Sequence, residues 1–151
     1  MTREPVSVGP TATLYDAAVL MRSNRVAGLP VVDARGDLNG VVSERDIARV
    51  FEFPGSRAGT EGMLDALLVE PDLEPTPDFG GLRRRIRETK VSEAMSRPPF
   101  TIHSDAPLEL AMEVMTENQI HRLPVVQKNH LVGIVTTHDL LRAVWPSASR
   151  P

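Results

Sequence analysis

Two stretches of this chain place a hydroxyl residue three positions before an acid: Gly40-Val-Val-Ser-Glu-Arg-Asp46 and Gly133-Ile-Val-Thr-Thr-His-Asp139. In each, a short apolar run leads into a helix-like segment at the hydroxyl. The first amides of a helix have no partners within it, so its start can hold an anion. Ser43 or Thr136 would then reach a phosphate or ribose, and Asp46 or Asp139 would accept hydrogen bonds from ribose hydroxyls. The same spacing is also that of a capping box, in which the hydroxyl caps the helix and the acid favours its first turn. Spacing alone leaves both readings open. Gly40 and Gly133 imply that something approaches the backbone closely, or that the chain turns there.

A second run, His121-Arg122-Leu-Pro-Val125, sets two donors at the start of a buried-strand pattern. Arginine pairs bidentately with phosphate or carboxylate, and histidine adds a donor. The corresponding residues near the N-terminus are Ala27-Gly28, so two sites of equal affinity are not expected. Arg25 or Arg45 would have to stand in there. The histidines (His103, His121, His130, His138) show no His-x-x-x-His spacing and no link to a nucleophile, so catalysis and metal binding find no support. Arg83-Arg84-Arg85-Ile86-Arg87 is basic but lacks interleaved aromatics, which argues against a nucleic-acid surface.

Composition sets the outer bounds. At 151 residues and 41% hydrophobic, the chain can bury a core as one domain or two lobes. Cysteine is absent, which removes disulfides and thiolate chemistry. The net charge of −3 favours neither nucleic acid nor membrane. With no run of about 18 apolar residues and no signal-like N-terminus, the sequence reads as a soluble, cytoplasmic protein.

The elements that must position these residues are written twice. A slide of 94 lays Met1–Val32 on Met95–Val126, with identities that include Met1/Met95, Arg3/Arg97, Pro5/Pro99, Leu14/Leu108, Met21/Met115 and all of Leu29–Val32 against Leu123–Val126. A slide of 93 then pairs Leu38–Val50 with Leu131–Ala143, and the change falls in the turn Asp33–Asp37. Each copy reads β-α-β-β-α. Pro5–Val8 and Pro99–Ile102 are the first strands; Thr11 and Asp105 are placed as N-caps and Asn24 and Asn118 as left-handed stops. Strands Leu29–Val32, Leu38–Ser43, Leu123–Val126 and Leu131–Thr136 follow, with closing helices Glu44–Val50 and Thr137–Val144. Copy one spans 1–50 and lacks the lead-in that precedes Met95; copy two spans 91–145. Between them, 51–90 is an insertion, acidic and rich in Pro and Gly, then basic. Met63–Val69 could form two helical turns and the rest of 51–81 is expected to be mobile. A short helix at Ser92–Met95, capped by Thr89 or Ser92, leads into copy two, and 146–151 reads as a flexible tail.

Both copies resemble the cystathionine-beta-synthase (CBS) domain, and together they are similar to the tandem pair called a Bateman module. The carrying residues are Leu14–Met21, Gly28–Asp33 and Gly40–Asp46, with Leu108–Met115, His121–Val126 and Gly133–Asp139. The resemblance implies an α/β (α+β) fold of two tandem β-α-β-β-α repeats packed with pseudo-twofold symmetry around clefts. It implies an adenosine-containing ligand: AMP, ADP, ATP, S-adenosylmethionine or NAD. It assigns ribose to Asp46 and Asp139, ribose or phosphate to Ser43 and Thr136, and phosphate to His121 and Arg122. Ser7, Thr101, Ile102, Ile120, Pro124, Gly28, Arg45 and His138 complete the implied set.

The expected function is a regulatory, ligand-sensing module acting on a fused or separate effector protein. The alternatives are a ligand-free dimerisation scaffold or the regulatory part of an enzyme such as an IMP dehydrogenase. Leu14, Ala17, Ala18 and Met21, with Leu108, Ala111, Met112 and Met115, exceed what one thin sheet covers, so a homodimer through these helices is expected.

Overall fold

The computed structural model describes residues 1–50, 68 and 77–145. In chain order the elements are β1 (Thr2–Arg3), α1 (Leu14–Asn24), β2 (Gly28–Val32), β3 (Leu38–Ser43), α2 (Glu44–Val50), α3 (Pro77–Glu88), α4 (Val91–Ala94), β4 (Ile102–His103), α5 (Leu108–Glu117), β5 (Arg122–Gln127), β6 (His130–Thr136) and α6 (Thr137–Val144). The expected mixed α+β repeats are present. The turns proposed for Met63–Val69, the mobile part of 51–81 and the tail at 146–151 lie outside the described residues, Leu68 apart.

The chain divides into two compact units whose membership crosses the repeat boundary. Val6–Ala34 and Asn39–Pro98 form the copy-one unit; Met1–Pro5, Arg35–Leu38 and Pro99–Pro151 form the copy-two unit. Each unit therefore takes the lead-in of the other repeat.

In the copy-two unit, one sheet runs β1-β6-β5-β4, antiparallel except for the parallel β4–β5 pair. The pairing of Thr2 with Ile134 and Arg3 with Gly133 was not foreseen. An edge strand of two residues is too short to leave a periodic pattern. Ile102, Ala111, Met115, Leu123, Val125, Val135 and Leu140 fill the core between sheet and helices. The Arg35–Leu38 turn adds backbone bonds from Leu38 to Asn129 and from Leu131 to Gly36, and His130 Nδ1 lies 3.1 Å from Asp37 Oδ1.

In the copy-one unit, β2 and β3 form a hairpin, and Val8 joins β2 through a single parallel bridge to Val31 rather than a full strand. The core gathers Leu14, Ala17, Ala18, Met21, Leu29, Val31, Val42 and Ile47 with Ile86, Val91 and Met95. Ile86 is fully buried although it sits inside the arginine run. The run winds around a helix that packs on α1: Arg84 and Arg85 are exposed, Ile86 turns inward, and Arg87 lies over the Tyr15 ring at 3.9 Å.

The helix ends correct four expectations. Thr13, not Thr11, caps α1: its hydroxyl accepts from the Asp16 amide at 3.1 Å, and Asp16 accepts the Thr13 amide at 2.9 Å. Pro107, not Asp105, precedes α5, and Asp105 meets Ser104 and His103 instead. The left-handed residues are Arg25 and Gln119, one beyond each asparagine. Asn24 and Asn118 instead donate their side-chain amides back to the carbonyls of Leu20 and Val114, both at 2.8 Å. Lys90, not Thr89 or Ser92, stands at the N-cap of α4, where its amide donates to Glu93 at 3.0 Å.

Two outcomes follow from this packing. Ile86→Ala removes a fully buried side chain and is expected to cost about 2–5 kcal/mol in denaturant unfolding; a neutral effect would remove α3 from the core. The Thr13 amide and hydroxyl hold the Asp16 carboxyl below its usual range, against a smaller upward push from burial. A depressed folded pKa gives stability that is present above the unfolded value of about 3.9 and is lost as pH falls through the folded one. Asp16→Ala should therefore be less stable than wild type at neutral pH, with the gap narrowing on acidification below about pH 4. A gap independent of pH in thermal melts would contradict this.

Candidate functional site

In the copy-two unit, the residues expected to meet a nucleotide converge at one end of the β5–β6 pair. Arg122 lies directly opposite Thr136 in the antiparallel register. The His121 carbonyl accepts from the Thr137 amide at 3.0 Å and from its hydroxyl at 3.3 Å, which ties the His-Arg run to the start of α6. Thr136 caps α6. Its hydroxyl accepts from the Asp139 amide at 3.3 Å, and Asp139 Oδ2 accepts the Thr136 amide at 2.9 Å and hydroxyl at 2.8 Å. Asp139 Oδ1 lies 3.3 Å from the Met1 amino group. Burial acts to raise the Asp139 pKa, but the Thr136 bonds and the Met1 amino group outweigh it and hold the carboxyl below its usual range. The capping-box reading is thus correct; it engages Oδ2, while Oδ1 pairs with the Met1 amino group.

Of the other expected residues, His121, His138 and Thr101 are exposed, Ile120 is half-buried, and Ile102 and Pro124 are buried in the sheet. Ile102 and Ile120 pack with the core cluster and so serve the fold first.

The copy-one unit repeats the arrangement with different surroundings. Asp46 Oδ2 accepts the Ser43 amide at 2.9 Å and the Ser43 hydroxyl at 2.6 Å. Its Oδ1 is met by Arg49 Nη1 at 3.4 Å and by the Ser96 hydroxyl at 3.3 Å. Asp46 is only 6% exposed, the one buried charged side chain among the described residues. The Glu44 amide donates to the Ala27 carbonyl, as Thr137 does to His121. Gly28 is packed against β3: a Cβ there would lie 3.1 Å from the Val42 carbonyl oxygen. Ser7 is half-buried beside Val8, whereas Arg45 and Arg25 are exposed.

A cleft of about 490 Å³ opens beside Asp46, lined by Arg49, Val50, Glu93, Ala94, Met95, Ser96 and Arg97. Apart from Asp46, none of its residues was anticipated. A signal was nevertheless present in the repeated Met and the repeated Gly. A Cβ on Gly40 would lie 2.8 Å from Met95 Sδ and 2.9 Å from the Ser96 carbonyl oxygen; on Gly133 it would lie 2.8 Å from Met1 Sδ and 3.0 Å from the Thr2 carbonyl oxygen. What approaches each glycine is the lead-in of the other repeat. No group of three or more His, Asp or Glu that could hold a metal occurs among the described residues, and none of their helices is long and apolar enough to cross a membrane.

The CBS domain model matches residues 1–52 and 91–146. The chain is 34% identical over 140 residues to the CBS domain-containing protein YhcV of Bacillus subtilis, covering 93% of this chain and 79% of that one. Among solved structures, the CBS domain of a CBS domain-containing membrane protein from Sphaerobacter thermophilus superposes with a TM-score of 0.71 at 30% identity, covering 91% of this chain and 80% of that one. The CBS-pair protein CBSX2 of Arabidopsis thaliana has been crystallised with AMP; that complex gives a TM-score of 0.70 at 26% identity over 97% of this chain and 92% of that one. With both repeats matched and the cap, hydroxyl and acid in place in each, the chain belongs to the CBS-domain family as a tandem pair.

Proposed function

We propose that this chain is a regulatory module that senses an adenosine nucleotide, with its principal site in the copy-two unit. The observation that carries the reading is the register pairing of Arg122 with Thr136, three residues before an acid whose Oδ1 is not used by its own helix. Arg122 with His121 would take phosphate, Thr136 ribose or phosphate, and Asp139 the ribose hydroxyls through Oδ1. The AMP complex of CBSX2 supports this class of ligand. AMP, ADP, ATP and S-adenosylmethionine all present the required diol. The role is binding rather than catalysis, in the cytoplasm, with occupancy passed to a fused or separate effector.

Calorimetry with AMP tests the assignment. Asp139→Ala should remove the dominant, tighter binding heat and leave only weak residual binding at the copy-one acid, while unfolding remains cooperative, with a stability loss of no more than about 1 kcal/mol from the lost cap. Unchanged heat would place the site elsewhere.

A homodimer is the second part of the proposal, and the surface favours a narrower version than the helix pattern suggested. Leu14, Ala17, Ala18 and Met21 are fully used inside the copy-one core. Leu108 and Met112 remain exposed on α5, as do Leu141, Val144 and Trp145 at the end of α6. A second copy would bury this patch. In sedimentation at micromolar concentration, wild type should be dimeric and Leu141→Glu with Met112→Glu monomeric; a wild-type monomer refutes the idea.

A further inference from the structure

We propose that Ser96 is an internal gate on the copy-one acid: its hydroxyl occupies the carboxylate oxygen of Asp46 that a ligand diol would need. The inference rests on the nucleotide reading above and adds to it how the second site is regulated.

The two oxygens of Asp46 have different duties. Oδ2 is committed to the Ser43 amide at 2.9 Å and hydroxyl at 2.6 Å, the bonds that start α2. A ligand that took this oxygen would break the cap. Among the described residues, Oδ1 receives only the Ser96 hydroxyl at 3.3 Å and Arg49 Nη1 at 3.4 Å. Both contacts are long for charge-assisted hydrogen bonds, so they exchange readily for a better-placed donor. The diol of a ribose is such a donor, and the space for it is present, because Asp46 and Ser96 line the same cleft of about 490 Å³.

The gate has a fixed frame and a movable tip. The Ser96 backbone is bonded in both directions to Val41, at 2.9 and 3.3 Å. Its carbonyl lies close over Gly40, 2.9 Å from where a Cβ would stand, a closeness that only glycine permits. Its side chain is exposed, so rotation about one bond removes the hydroxyl from Asp46 without unpairing the strand. The closed state therefore lowers apparent affinity by the fraction of molecules that are open.

The test is AMP calorimetry in an Asp139→Ala background, which leaves Asp46 as the one acid of this type in the pair. Adding Ser96→Ala should tighten AMP binding by about 3- to 10-fold, the net value of one ordinary hydrogen bond, as suits a contact as long as 3.3 Å. Ser96→Thr, which restores a hydroxyl, should return the affinity to that of the Asp139→Ala parent. Equal or weaker binding by the Ser96→Ala variant overturns the gate. If wild type binds AMP and neither double variant does, the gate falls and the nucleotide reading stands. If no form binds AMP, both fall.

Discussion

The absence of a side chain at Gly40 and Gly133 decides what surrounds each acid. A lead-in segment lies so close over each glycine that a single added carbon would collide with a methionine sulfur and a backbone carbonyl oxygen. Backbone oxygen cannot move aside without breaking the pairs it belongs to, so even alanine would force strand and lead-in apart. That contact lets Ser96 pair with Val41 in one unit and Thr2 with Ile134 in the other. It brings Ser96 to Asp46 and Met1 to Asp139. The exchange of lead-ins between repeats, and the cleft beside Asp46, depend on the same close approach.

The acids illustrate how one carboxylate can cap a helix and keep its second oxygen for another partner. A capping box consumes one oxygen, since amide and hydroxyl converge on Oδ2 in both Asp46 and Asp139. The second oxygen is held at a defined angle by those same bonds, so it is positioned at no extra conformational cost. Structural and binding readings of such a motif are therefore compatible. The cap supplies the rigidity that a binding oxygen requires.

The two repeats have diverged in what covers their long helices. On α1, α3 supplies Ile86 and a cation–π contact from Arg87, and the apolar face disappears into the core. On α5, the residues matching Leu14 and Ala18 are Leu108 and Met112, and both stay exposed. Similar helical patterns in sequence thus end in opposite environments, because burial is set by the neighbour and not by the helix itself.

How much could be read without coordinates follows from the range of each interaction. Both closing helices, the strand runs that precede them and the Ser43–Asp46 and Thr136–Asp139 pairs were legible, because caps and strand patterns act over three to eight residues. The Thr13–Asp16 box was equally local and was displaced onto Thr11 only because the start of α1 was placed too early. The opposition of Arg122 and Thr136 came from the structure, where the tight turn of the β5–β6 hairpin fixes the register. The contact of Ser96 with Asp46 spans 50 residues, and no periodicity encodes which lead-in reaches which acid. Ile86 was hidden for a related reason: one apolar residue among arginines reads as a solvated helix until the surface it packs against is known. Composition and spacing determined the elements and the chemistry of the motifs, because both are set by near neighbours along the chain. Tertiary structure decided the partners of each acid, the burial of α3 and the exposure of α5, because those depend on which distant surfaces are brought within van der Waals contact.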